Sequence, residues 1–128
     1  MKIDHVAVAF NNKEESDRFF IDLLGLKEVK SFVVPEDLMV KFFGIKKDQV
    51  IVRYAFNGFD IEVFITDDNS KVKDRFTHSC LLIAERDNLI NRALSMGYET
   101  IKVPKDDSND YYLFIKDSYG NLYEIKSP

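Results

Sequence analysis

The chain has 128 residues, 45% of them hydrophobic and 31% charged, with a net charge of −4. That balance suits a folded globular chain, either one compact unit or two small halves that share a core. It excludes a nucleic-acid surface, which needs a basic face, and no apolar run approaches the ~20 residues needed to span a bilayer. The single cysteine, Cys80, excludes an intrachain disulfide. With no apolar signal-peptide core after Met1, a reduced, cytoplasmic setting is expected.

Residues 3–10 (IDHVAVAF) have the apolar pattern of a strand, with His5 near its start. Asn12, followed three positions on by Glu15, reads as a helix start of the capping-box type. Phe19, Phe20, Leu23 and Leu24 then form one helix face, and Gly25 suits the left-handed exit. Residues 28–34, 38–45 and 50–56 read as further β-rich runs, with boundaries open between Pro35 and Lys47. Asn57-Gly58 is a hairpin turn into a last strand that carries Asp60, Glu62 and Phe64. Residues 67–75 are polar and charged and read as a linker.

The order then repeats. Residues 76–84 (FTHSCLLIA) form a strand with His78 near its start. Asp87 is the expected start of a helix whose face is Leu89, Ile90, Ala93 and Leu94, and Gly97 its exit. Strands over 98–103 and 111–116 precede a turn at Tyr119-Gly120 and a last strand with Glu124. Residues 58–62 and 120–124 share the pattern G-x-x-x-E. The expected fold is therefore α+β. Two βαβββ modules, residues 1–66 and 76–128, form a curved, half-open mixed β-sheet.

Alternation along the strands assigns the faces. Val6, Val8 and Phe10, with Ile61, Val63 and Ile65, suit the helix side. His5, Ala7 and Ala9, with Asp60, Glu62 and Phe64, take the concave side. In the second module His78, Cys80 and Leu82, with Leu122, Glu124 and Lys126, oppose Tyr123 and Ile125. The only two histidines of the chain thus fall at equivalent places, each with a glutamate on its face. Two imidazoles and two carboxylates suit a divalent ion such as Ni²⁺, Zn²⁺, Co²⁺, Mn²⁺ or Fe²⁺. Cys80 reads as a small buried apolar residue and Asp60 as a supporting or exposed acid. Residues 106–110 read as a solvated turn, and Lys46-Lys47 and residues 71–75 as exposed loops.

The residues DHVAV at 4–8, FFIDLLGL at 19–26 and DSYGNLYE at 117–124 resemble the vicinal oxygen chelate superfamily. That group includes glyoxalase I, methylmalonyl-CoA epimerase, extradiol dioxygenases and the bleomycin and fosfomycin resistance proteins. The last segment is similar to its D-x-x-G-x-x-x-E signature. Within it the ligand pattern resembles glyoxalase I, which implies His5, Glu62, His78 and Glu124 as metal ligands. Glu124 is then the catalytic base and Glu62 its partner on the opposite substrate face. The implied reaction is α-proton transfer through a metal-stabilised enediolate in a small-molecule substrate, such as the hemithioacetal of methylglyoxal. A homodimer is implied as well. The alternatives are an acyl-CoA epimerase of the methylmalonyl-CoA type, a non-catalytic small-molecule binding protein and a protein with a structural metal. Bacterial glutathione-dependent glyoxalases carry Arg and Asn where Ala9 and Thr66 stand, so the thiol carrier is left open.

Overall fold

The computed structural model describes residues 1–128, which divide into two compact units, Met1–Ser70 and Lys71–Pro128. The first unit runs β1 (Val6–Phe10), α1 (Lys13–Asp17), a π-helical continuation (Arg18–Leu23), β2 (Lys27–Val34), α2 (Glu36–Phe43), β3 (Gln49–Phe56) and β4 (Phe59–Ile65). The second runs β5 (His78–Leu82), α3 (Arg86–Ser95), β6 (Thr100–Pro104), β7 (Tyr111–Lys116) and β8 (Leu122–Lys126). Each unit holds one four-stranded mixed sheet. The strand orders are β1-β4-β3-β2 and β5-β8-β7-β6, and in each the first strand runs parallel to the last. No helix is long and apolar enough to cross a membrane.

Local chemistry sets the first helix. Asn12 Oδ1 accepts the Glu15 backbone N–H at 2.8 Å, satisfying a donor that the helix cannot. Phe19, Phe20 and Leu23 are fully buried with Phe10 and Tyr54. Phe20 stacks on Tyr54 at 5.2 Å and meets Phe10 at 5.4 Å. Burial of each such side chain contributes roughly 2 kcal/mol. The Tyr54 hydroxyl donates to Asp17 at 2.5 Å and accepts from Ser16 at 2.9 Å, which ties the helix to β3. Both helix exits are left-handed as expected, with φ of 77° at Gly25 and 85° at Gly97. The Asn57-Gly58 turn has positive φ at both residues, the hairpin geometry that matches strand twist.

Three expectations are corrected. Residues 38–45 are not a strand: most of them lie in helix α2, which ends at Gly44 with φ of 70°. Pro35 precedes its first turn, where Glu36 and Asp37 favour the positive end of the helix dipole, and Asp48 Oδ1 accepts the Glu36 N–H at 2.8 Å. The apolar run 38–43 fits either period, and these end signals decide it. Helix α2 also covers part of the face expected to be open, because Phe43 packs edge-on against Phe64 at 5.5 Å. Second, α3 begins at Arg86 and has no side-chain cap. Asp87 lies in its first turn and accepts from the Tyr111 hydroxyl at 2.6 Å. Third, Cys80 is exposed rather than buried, because its face of β5 has no helix over it.

Candidate metal centre

The face assignments of the first unit follow the strands. Ile61 and Val63 are fully buried and Ile65 nearly so, while Glu62 stands on the other face. Ala7 pairs with Glu62, and His5 lies two residues before Ala7. The second unit repeats this register: Cys80 pairs with Glu124, and His78 lies two residues before Cys80. One turn of sequence logic thus brings one imidazole and one carboxylate together twice. His5 Nε2 is 3.4 Å from Glu62 Oε2, and His78 Nε2 is 3.5 Å from Glu124 Oε2.

Two observations test whether these pairs suit a metal. The first is spacing. Two donor atoms each about 2.1 Å from one ion, at a tetrahedral angle, lie about 3.4 Å apart. The second is the tautomer. His5 Nδ1 is 2.9 Å from Asp4 Oδ2, and His78 Nδ1 is 2.7 Å from the Phe76 carbonyl oxygen. Carboxylates and carbonyls only accept, so Nδ1–H is the donor in each of these bonds, and Nε2 is left as the ring atom that faces the glutamate. Metal-binding histidines are held in this way by an outer partner. The pairs therefore fit the group. Within neither unit does a third His, Cys, Asp or Glu side chain complete a metal-binding cluster.

The surroundings of the two pairs differ. Beside Glu62 stands Arg53, its Cα partner on β3, with Nη1 4.0 Å from Glu62 Oε1. Arg53 Nη2 donates to Asp60 at 2.6 Å and to Asp4 at 3.3 Å. The hydrogen bond from His5, then the Arg53 charge, hold the Asp4 carboxyl below its ordinary pKa. At the place of Arg53 the second unit has Phe114, the Cα partner of Glu124. The His78 ring packs edge-on against it at 5.7 Å. Lys126 Nζ lies 3.5 Å from Glu124 Oε1. A groove of about 1050 Å³ is lined by Phe114, Ile101 and Leu122 and by charged residues of both signs, among them Lys73, Arg75, Asp74 and Glu99. Sequence reasoning missed Arg53, although the alternation applied to β4 would have put it on the face of Glu62 had it been extended to β3.

The turn before Glu124 is built around Asp117. Its Oδ1 accepts the backbone N–H groups of Tyr119, Gly120 and Asn121, and its Oδ2 accepts from Asn121 Nδ2 and the Tyr123 hydroxyl. Burial pushes this carboxyl up to about 6 against those five bonds. It fixes the β7–β8 hairpin and hence the start of the strand that carries Glu124. Thr66 donates its hydroxyl to Asp68 at 2.8 Å, which occupies it within its own loop.

A family model described as Glyoxalase/Bleomycin resistance protein/Dioxygenase superfamily matches residues 2–125. Among solved structures, the chain is similar to a glyoxalase family protein from Enterococcus faecalis, with a TM-score of 0.72 and 18% identity over 97% of this chain and 95% of that one. It is similar to the fosfomycin resistance protein FosX from Listeria monocytogenes, with a TM-score of 0.72 and 14% identity over 100% of this chain and 93% of that one. A mutant of that FosX, solved with Mn(II) and 1S,2S-dihydroxypropylphosphonic acid, gives 0.72 and 14% over 98% of this chain and 88% of that one. At these identities the likeness is one of fold. No curated protein matches the chain.

Proposed function

Because the chain belongs to the Glyoxalase/Bleomycin resistance protein/Dioxygenase superfamily, we propose that it is a metal-dependent, glyoxalase-like lyase or isomerase that moves an α-proton in a small oxygenated substrate. The observation that carries this reading is the doubled pair, each with its histidine Nδ1 tied to an outer acceptor and its Nε2 turned to a glutamate. The family resemblance assigns His5, Glu62, His78 and Glu124 as ligands of the divalent ion, and each pair contributes two of them. Divalent metal use by the FosX relative supports the reading. The ion is Ni²⁺, Zn²⁺, Co²⁺ or Mn²⁺, and the working form is a homodimer.

The ion, when bound, supplies Lewis-acid polarisation of the substrate oxygens. Glu124 takes the α-proton, since Phe114 beside it lets substrate carbon approach a carboxylate on an apolar surface. Glu62 serves the opposite face of the substrate, where Arg53 adds positive charge within 4.0 Å. The groove beside Phe114 receives the body of the substrate. The substrate is a thiol hemithioacetal or an acyl thioester, and Ala9 and Thr66, which stand where glutathione-dependent glyoxalases carry Arg and Asn, leave its thiol carrier open.

Elemental analysis of purified protein, followed by α-proton exchange in D₂O with methylglyoxal hemithioacetals of several thiols and with acyl thioesters, tests this. Bound transition metal and metal-dependent exchange are the expected results. Protein that takes up no metal after reloading, or loaded protein that exchanges no α-proton, overturns it.

A further inference from the structure

Arg53 stands within the sheet, with Lys30 on β2 as one Cα partner and Glu62 on β4 as the other. Its Nε and Nη2 both reach Asp60 Oδ2, at 3.2 and 2.6 Å. Nη2 also reaches Asp4 Oδ2 at 3.3 Å, and this is the oxygen that accepts from His5 Nδ1. Nη1 stays 4.0 Å from Glu62, beyond hydrogen-bond reach, so the Glu62 carboxylate keeps its lone pairs. Asp4 itself precedes β1 and its side chain is largely exposed. Alone, an exposed acid beside a histidine would swing into water and hold little. The planar fork of an arginine shared between two carboxylates removes that freedom.

We propose that Arg53 is the positioning residue of the first metal-binding pair: anchored by Asp60, it holds Asp4 so that His5 stays in the tautomer whose Nε2 faces Glu62. The second pair needs no such device, because the Phe76 carbonyl does the work from the backbone. That carbonyl is itself steadied by Asp74 Oδ1, which accepts the Phe76 and Thr77 N–H groups at 2.7 Å. Phe114 can therefore stand where Arg53 does.

The proposal rests on the metal reading, and two measurements separate them. In metal-free protein, ¹⁵N spectra of the imidazoles at a pH where both are neutral report the tautomers. R53M moves His5 from the Nδ1–H to the Nε2–H form, leaves His78 unchanged, and D4A does the same. With Zn²⁺ as the probe in calorimetry, R53M and D4A each lower affinity about 10–100-fold. The double variant loses no more than either single one, because both act through one path. R53K retains part of the affinity, since an ammonium cannot fork between two carboxylates. An unchanged His5 tautomer in folded R53M, or additive losses in the double variant, overturns the assignment. Wild type that binds no Zn²⁺ overturns the metal reading, while the tautomer spectra still decide the role of Arg53.

Discussion

The first unit holds its histidine through side chains, Asp60 to Arg53 to Asp4 to His5, while the second holds its own through a backbone carbonyl. The strands, the register and the donor atoms are otherwise the same. One repeat thus arrives twice at one donor geometry by different supports. Its flanks are free to diverge, with Arg53, Asp60 and Asp4 around the first pair and Phe114 and Lys126 around the second.

The comparison breaks most sharply at the two glutamates. E124Q is expected to lower α-proton exchange by about 10²–10⁴-fold, as loss of a general base does, and E62Q by less. Exchange rates for the two metal-loaded variants decide it, and a larger loss in E62Q would reverse the roles. Next in size is the turn at Asp117, which in the second unit starts the glutamate strand. Its folded pKa is raised from the ordinary carboxylate value to about 6. Between about pH 4 and 6 the folded protein therefore holds a proton that the unfolded chain has released. The contribution of this group is fully present below pH 4 and is lost as pH rises through 6, by up to about 3 kcal/mol. Denaturant curves of wild type against D117N across that range measure it: wild-type stability falls relative to that of D117N as pH rises, and a relative gain by wild type has the wrong sign. Smallest are the helix starts. N12A removes the only hydrogen bond that this side chain makes to the helix and costs about 1 kcal/mol. E85A, at the uncapped start of α3, is close to neutral. Equal shifts in Tm for the two would show that the caps do not distinguish the units.

Much of this was legible from residue order. The alternation of Ile61, Val63 and Ile65 with Glu62 fixed the face of that carboxylate, because a strand has a period of two and one side was plainly apolar. Asn12 with Glu15, and the glycines after each helix face, marked helix ends because their chemistry is local. The run around Leu38 to Phe43 was not legible by periodicity, since its apolar residues suit both a helix and a strand, and only Met39 of that run is fully buried. Cys80 was misread because its neighbours on β5 are apolar on both faces, and sequence does not say which face a helix covers.

Sequence by itself determined the family and the repeat and singled out the four proposed donors, because these depend on residue type at fixed spacing within single strands. Tertiary structure alone decided what orients those donors. Arg53 reaches Asp4 across 49 residues and Asp60 across a hairpin, and such contacts follow from strand pairing and register, which no local pattern encodes. The Phe76 carbonyl is equally silent in sequence, since every residue carries one and only the folded backbone aims it.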